Sequence, residues 1–223
     1  MIANLVRKDF LLVKKFFLAY LGITILVPLL VMITMKSTTP VQEIGAFVFL
    51  YMVIVMELSF MQAIAAEEEK SSKAVALLFA APYPRKSYVI AKYICYLIFY
   101  GGCLFVYSII AAVYPGFDFL NISGVLAVFL AGATLYGIYM TVVIKYGATR
   151  AWLVFFIAIL FASLGPTIVT HVFRTEVKLI LSLMQRIPEM MISVILGVAG
   201  MGVFLISVII SIRIFVKKEL QIF

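Results

Sequence analysis

The side chains equipped for chemistry are few in this sequence, and they lie far apart. His171 is the only histidine in 223 residues, so a multi-histidine metal site cannot be built within one chain. No GxxxxGK[ST] phosphate loop and no GxSxG nucleophile elbow occurs, which removes nucleotide hydrolysis by the P-loop route and serine-hydrolase chemistry. What remains is acidic. Glu57 stands in an apolar run, where a carboxyl group is costly and normally faces protein or water. Two chemistries are open to it: a proton-relay or cation-binding carboxylate, or a neutral acid hydrogen-bonded to Ser59, Gln62 or another helix. Lys92 lies about one turn into its own apolar run, and snorkelling to the membrane surface accounts for it.

The second acidic group, Glu67, Glu68 and Glu69, opens the stretch 67–92, EEEKSSKAVALLFAAPYPRKSYVIAK. Acids suit the positive end of a helix macrodipole, and Lys70 and Lys73 lead from them into the apolar run 74–81. The pattern predicts a short amphipathic helix there, stopped by Pro82 and Pro84, after which Arg85 and Lys86 lead into the next apolar run. Glu68-Glu69-Lys70-Ser71-Ser72-Lys73 has the outline of the EExxxR motif of intramembrane CAAX-type proteases. Lysine holds the sixth position, however, and the further histidine motifs of those enzymes are missing, so the protease reading fails.

The elements that must position these residues follow from composition. At 65% hydrophobic and 13% charged, with a mean hydropathy of +1.20, the chain is far more apolar than a soluble domain. The expected fold is an all-α integral membrane protein, one transmembrane domain over 1–223. Six runs are long enough to cross ~30 Å of hydrocarbon at ~1.5 Å per residue: 16–35, 44–66, 88–113, 122–144, 151–170 and 191–215. With both termini inside, all but Lys36, Arg174, Lys178 and Arg186 of the 18 Lys and Arg side chains fall on the inner side. That asymmetry is a strong positive-inside signal, so the net charge of +8 sets orientation and calls for no nucleic-acid partner. Cys95 and Cys103 are roughly 12 Å apart along one helix, too far for a mutual disulfide, and are expected to fill the core.

Two amphipathic segments flank the spans. In 1–15, Arg7, Lys8, Lys14 and Lys15 cluster on one face and Ile2, Leu5, Val6, Leu12 and Val13 on the other, with Asp9 breaking the apolar side. This leader is expected to lie along the inner leaflet; it precedes a span too long for a signal-peptide core, so it is kept as mature structure. A solvated basic leader that only orients the first span is the alternative. In 171–189, Phe173, Val177, Ile180, Leu181, Met184 and Ile187 recur at helical spacing and end before Pro188. That segment is either a passive surface helix or an outer gate formed by Phe173, Val177, Ile180, Leu181 and Met184. Glycines group at Gly101 and Gly102, at Gly124, Gly132 and Gly137, and at Gly197, Gly200 and Gly202, as candidate points of close helix approach.

An acidic cluster ending the second span (Glu67 to Glu69), a Leu77-Leu78 pair, Pro82 followed by Arg85, and Lys92 at the start of the third span together resemble the pattern of ABC-2 type permeases, the membrane subunits of many bacterial ABC exporters. The basic leader, six spans and the outer amphipathic segment extend the resemblance over essentially the whole chain. It implies a permease dimer in the cytoplasmic membrane with two copies of a separate ABC ATPase subunit, ATP and Mg being bound there, and no cofactor, metal or catalytic residue in this chain. It also implies that the cytoplasmic segment 67–87 seats in the ATPase, through Glu67, Glu68, Glu69, Lys70, Lys73, Leu77, Leu78, Pro82, Arg85 and Lys86. The departure is Pro82-Tyr83-Pro84, a double proline that shortens the coupling helix. The apolar spans and the outer amphipathic segment point to amphipathic peptides or other hydrophobic molecules as cargo for export. Two other classes stand beside this one: an ion-coupled secondary transporter using Glu57, and a non-transporting membrane scaffold such as an immunity protein.

Overall fold

The structure is a computed structural model that describes residues 2–15, 19, 21–22, 25–26, 41–70, 85–113, 119–172 and 188–220. Six helices account for nearly all of these: α1 (Ile2–Leu12), α2 (Val41–Lys70), α3 (Arg85–Val113), α4 (Ile122–Tyr146), α5 (Ala148–Val172) and α6 (Glu189–Leu220). Among the described residues there is no strand. Among the described residues four stretches are long and apolar enough to cross a membrane, Gly45–Lys70, Lys86–Val113, Ile122–Tyr146 and Glu189–Lys217, and α5 adds the apolar stretch Ala148–Leu160. The expected first span, 16–35, lies largely outside the described residues, as do the helix expected within 71–84 and the outer segment 173–187.

The helix α2 is central because it is apolar on every side, a pattern that fits only a helix surrounded by others. Every residue from 52 to 60 is buried. Of its most apolar window 67% is buried, against 22% for α6, which therefore lies at the edge of the bundle. Around α2 pack α5, α4 and α3, while α6 runs along α4 and α1 lies across α3. Close packing of α4 against α6 depends on glycine. A Cβ at Gly137 would collide with Ser207, and one at Gly200 would press on the Phe129 ring. Gly132 admits Tyr96 and Val53 in the same way, whereas Gly101, Gly102 and Gly202 have open space around them. Gly132 and Gly137 on α4 and Gly200 on α6 thus mark helix contacts, and Gly202 and the pair on α3 do not.

Tyrosines fasten the core polar-end first. Tyr93, Tyr96 and Tyr100 recur along one face of α3 and pack edge-on or tilted against Phe129 and Tyr136 of α4 and Phe204 of α6. Each hydroxyl reaches a partner, as buried tyrosines require. The Tyr93 hydroxyl bonds the Ser207 and Ser211 hydroxyls at 2.6 and 2.8 Å. Tyr100 donates to Val125 O at 2.6 Å, Tyr96 to Phe129 O at 3.3 Å, and Tyr136 to Lys92 O at 2.8 Å. Between α4 and α5 the chain turns at one residue, Gly147, whose φ of +88° excludes a side chain and whose N–H closes on Val143 O at 2.9 Å. Both cysteines are free and buried in this core, as expected.

Candidate functional site

Charged side chains collect at one end of the bundle, where α2 ends at Lys70 and α3 begins at Arg85. The sequence predicts that Glu67, Glu68 and Glu69 open a new helix. They instead occupy the last turn of α2, the negative end of its dipole. What outweighs that small penalty is a set of partners for each acid. Glu67 is joined by Lys70 at 2.8 Å. Glu69 is exposed and accepts from the Thr149 hydroxyl of α5 at 3.3 Å. The Glu68 carboxylate turns inward, its side chain 12% exposed.

Around Glu68 the cluster is dense. Lys8 of α1 donates to its Oε1 at 2.7 Å, Lys92 of α3 lies 3.2 Å from the same oxygen, and the Tyr88 hydroxyl donates to Oε2 at 2.6 Å. Lys92 Nζ is also 3.0 Å from Asp9 Oδ2, and Lys8 Nζ is 3.3 Å from Asp9 Oδ1. The second of these is an ion pair without hydrogen-bond geometry, since Oδ1 finds no hydrogen-bond partner among the described residues. Both ammonium groups sit near the Tyr88 ring, Lys92 at 5.0 Å and Lys8 at 5.4 Å from its centroid, and Phe215 of α6 stacks on that ring at 5.4 Å. Two carboxylates and two ammonium ions thus balance one another where four helices meet. The arrangement holds charge out of water without leaving any in excess.

Lys92 does not snorkel. Its side chain is only 3% exposed, because Asp9 and Glu68 supply inside the protein what the membrane surface would have supplied outside it. Asp9 is not a break in the apolar face of α1 but the part of that face that docks, buried beside Leu5. Sequence reasoning missed the cluster: Asp9 and Lys92 are opposite charges standing separately in apolar surroundings, and their complementarity was the available signal. Of the basic leader, Arg7, Lys14 and Lys15 are exposed as expected, while Lys8 is drawn into the cluster. A groove of about 600 Å³ runs along that exposed side, lined by Asn4, Arg7, Lys8, Leu11 and Leu12.

The other expected site residues are scattered. Lys86 is exposed at the start of α3, where Arg85 opens the helix, and Lys70 is exposed at the end of α2. Lys73, Leu77, Leu78 and Pro82 lie outside the described residues, as do Phe173, Val177, Ile180, Leu181 and Met184. Glu57 is 2% exposed in the middle of α2, and its Oε1 has no hydrogen-bond partner among the described residues. Tyr96, Tyr100 and Cys103 of α3 and Tyr136 of α4 are within its electrostatic reach. Gln62, a partner expected for it, is taken by other groups: it accepts from the Tyr139 hydroxyl at 2.6 Å and donates to Ala148 O at 3.1 Å. Among the described residues no group of three His, Cys, Asp or Glu side chains could hold a metal ion.

Comparison with known proteins gives one positive result. The family model for ABC-2 family transporter proteins matches residues 4–216. No curated protein and no solved structure matches the chain. The family match runs from α1 to the last turns of α6, so it takes in every helix that contributes to the charge cluster. An apolar helical bundle with four helices able to cross a bilayer, matched along nearly its whole length, is an integral membrane protein belonging to the ABC-2 family of transporter proteins.

Proposed function

We propose that this chain is the permease subunit of an ATP-driven exporter, pairing with a second permease protomer to form the path and binding two separate ABC ATPase subunits on the cytoplasmic side. The family match over residues 4–216 carries this reading. The placement of charge supports it: the α2–α3 connection is flanked by exposed Lys70 and Lys86 and by Glu67 and Glu69, a polar rim suited to a soluble partner. ATP binding and hydrolysis then belong to the partner, and segment 67–87 is the part of the permease that the partner moves. Both termini are cytoplasmic in this arrangement. Amphipathic peptides or similarly hydrophobic molecules are the preferred cargo, entering from the inner leaflet and leaving past the 171–189 segment, bound mainly by apolar burial at about 25 cal/mol per Å².

The test is recovery of the tagged chain from its own membranes. Co-purification of a Walker A ATPase is expected, and Glu67→Ala/Glu69→Ala should weaken it while leaving insertion intact, since the positive-inside count is unchanged. A chain that purifies without any ATPase would overturn the assignment. Reconstituted with that ATPase, the complex should hydrolyse ATP faster with amphipathic helical peptides than with monovalent cations; stimulation confined to cations would overturn the cargo alone. A second reading has one observation in its favour, the Oε1 of buried Glu57, which has no hydrogen-bond partner among the described residues and suits an ion-coupled transporter. Transport abolished by a proton uncoupler and by Glu57→Gln would favour it.

A further inference from the structure

The described residues on either side of 71–84 enter the buried charge cluster. Glu68 stands two residues before the end of α2 at Lys70, and Tyr88 three residues after the start of α3 at Arg85. The 2.6 Å hydrogen bond between them closes the segment at its base. A push on the segment is therefore a push on Glu68 and Tyr88. From these two, contacts lead to α1 through Lys8 and to α6 through Phe215.

The contact that decides what moves with what is Asp9 with Lys92. Asp9 Oδ2 is the nearer carboxylate to the Lys92 ammonium, at 3.0 Å, and the two side chains are 2% and 3% exposed. Were they to part, Lys92 would be left with Glu68 and Asp9 with Lys8, each short of its nearest partner and almost out of water. Such a pair is made or broken as a whole, the behaviour expected of a two-state element rather than an elastic one. The helix α1 carries Asp9 and otherwise meets the bundle mainly on α3. The pair is thus the polar lock on that interface.

We propose that Asp9 and Lys92 are positioning residues for coupling: they make α1 travel with the adjoining ends of α2 and α3 when the ATPase moves the segment between them. The inference rests on the transport reading above and assigns a role to α1 that the reading does not contain. It also separates the acids by task. Glu67 and Glu69 face outward toward a partner, and Glu68 works inside the chain.

The experiment uses the complex of the full chain with its co-purified ATPase in proteoliposomes, and needs no knowledge of the cargo. Spin labels at Leu11→Cys on α1 and Trp152→Cys on α5, both exposed positions, report α1; Leu97→Cys with Trp152→Cys reports α3. Cys95 and Cys103 are buried and stay unlabelled. Distances are measured by pulsed electron resonance without nucleotide and after trapping with ATP and vanadate. In the unaltered chain both pairs should shift. In Asp9→Asn/Lys92→Gln, which leaves Lys8 and Glu68 in balance, the α3 pair should still shift in full and the α1 pair by clearly less, since Lys8 with Glu68 still ties α1 to α2. The exchanged pair Asp9→Lys/Lys92→Asp should restore the α1 shift, which a purely structural role would not require. An α1 shift of full size in the neutralised pair would overturn the proposal, as would an α3 shift without an α1 shift in the unaltered chain. Should both paired variants fail to insert, Asp9→Asn alone removes the pair while Lys92 keeps Glu68; an α1 shift of full size there would also overturn it. An unaltered chain that holds no ATPase removes the transport reading and this inference together.

Discussion

Removing the ammonium of Lys92 should be among the most damaging single changes in the protein. Lys92→Met keeps the stem of the side chain and deletes the charge. It leaves Asp9 and Glu68, 2% and 12% exposed, sharing only Lys8. At an effective dielectric of about 20, contacts of 3.0 and 3.2 Å are each worth roughly 5 kcal/mol before desolvation is counted. Desolvation of the three ions offsets much of that gain, so the cluster adds little net stability as a whole. Breaking it is another matter, because one carboxylate is then buried without a counter-charge, at a cost of about 3–5 kcal/mol. Deleting both charges, in Asp9→Asn/Lys92→Met, restores the balance and should bring the cost down to about 1–2 kcal/mol, the range for a lost buried hydrogen-bond partner. The double variant should therefore be more stable than Lys92→Met by about 2–3 kcal/mol, and the cycle completed with Asp9→Asn should be non-additive. Unfolding by SDS in mixed micelles, followed by circular dichroism, measures these differences. A Lys92→Met variant within ~1 kcal/mol of the parent, or strictly additive with Asp9→Asn, would refute the argument.

Other substitutions test the packing and the second acid. Gly137→Ala places a Cβ against Ser207, whose hydroxyl is held by Tyr93, and should lower stability by about 1–3 kcal/mol in the same assay, whereas Gly202→Ala, in open space, should raise it by about 0.5–1 kcal/mol. Tyr93→Phe loses the hydroxyl that joins α3 to Ser207 and Ser211 and should cost about 1 kcal/mol, with no change in ATPase co-purification. Glu57→Gln keeps the shape of the side chain and should leave vesicle transport near the parent rate; its loss would bring the ion-coupled reading forward.

Apolar run lengths disclosed the five long helices α2 to α6, with expected limits a few residues from the observed ones, as in 88–113 against Arg85–Val113 and 122–144 against Ile122–Tyr146, while the expected first span, 16–35, lies largely outside the described residues. Periodicity tells which side of a helix is apolar but not which helix it meets, and in a chain apolar all round, such as α2, even the side is lost. The glycines show the same limit. Gly137 and Gly101 look alike in sequence, yet one meets Ser207 and the other meets nothing within 4 Å. For Glu67 to Glu69, the local rule pointed to a helix start because the macrodipole favours acids there by about 0.3–1 kcal/mol. Tertiary contacts with Lys8, Lys92, Tyr88 and Thr149 are individually as large or larger, and they placed the acids at a helix end.

A charge in an apolar run has a legible consequence even when its partner is not: it requires an opposite charge, a proton or water. Asp9 and Glu57 are two such acids, and Lys92 is the base available to them from an apolar run. Of these two acids, one stands at contact distance from it. Asp9 does so, because α1 lies across the start of α3, while Glu57 sits deeper in α2, among tyrosines whose hydroxyls are largely engaged with backbone carbonyls. The division follows from depth. The acid near the end of the bundle, within reach of Lys8 and Lys92, is held as an ion, and the acid in the middle keeps an oxygen without a hydrogen-bond partner among the described residues. Neutralising Glu57 therefore removes no ion pair, whereas neutralising Asp9 strands Lys92 with Glu68 alone. The two acids that look alike in sequence thus carry opposite expectations for the same Asp→Asn or Glu→Gln change.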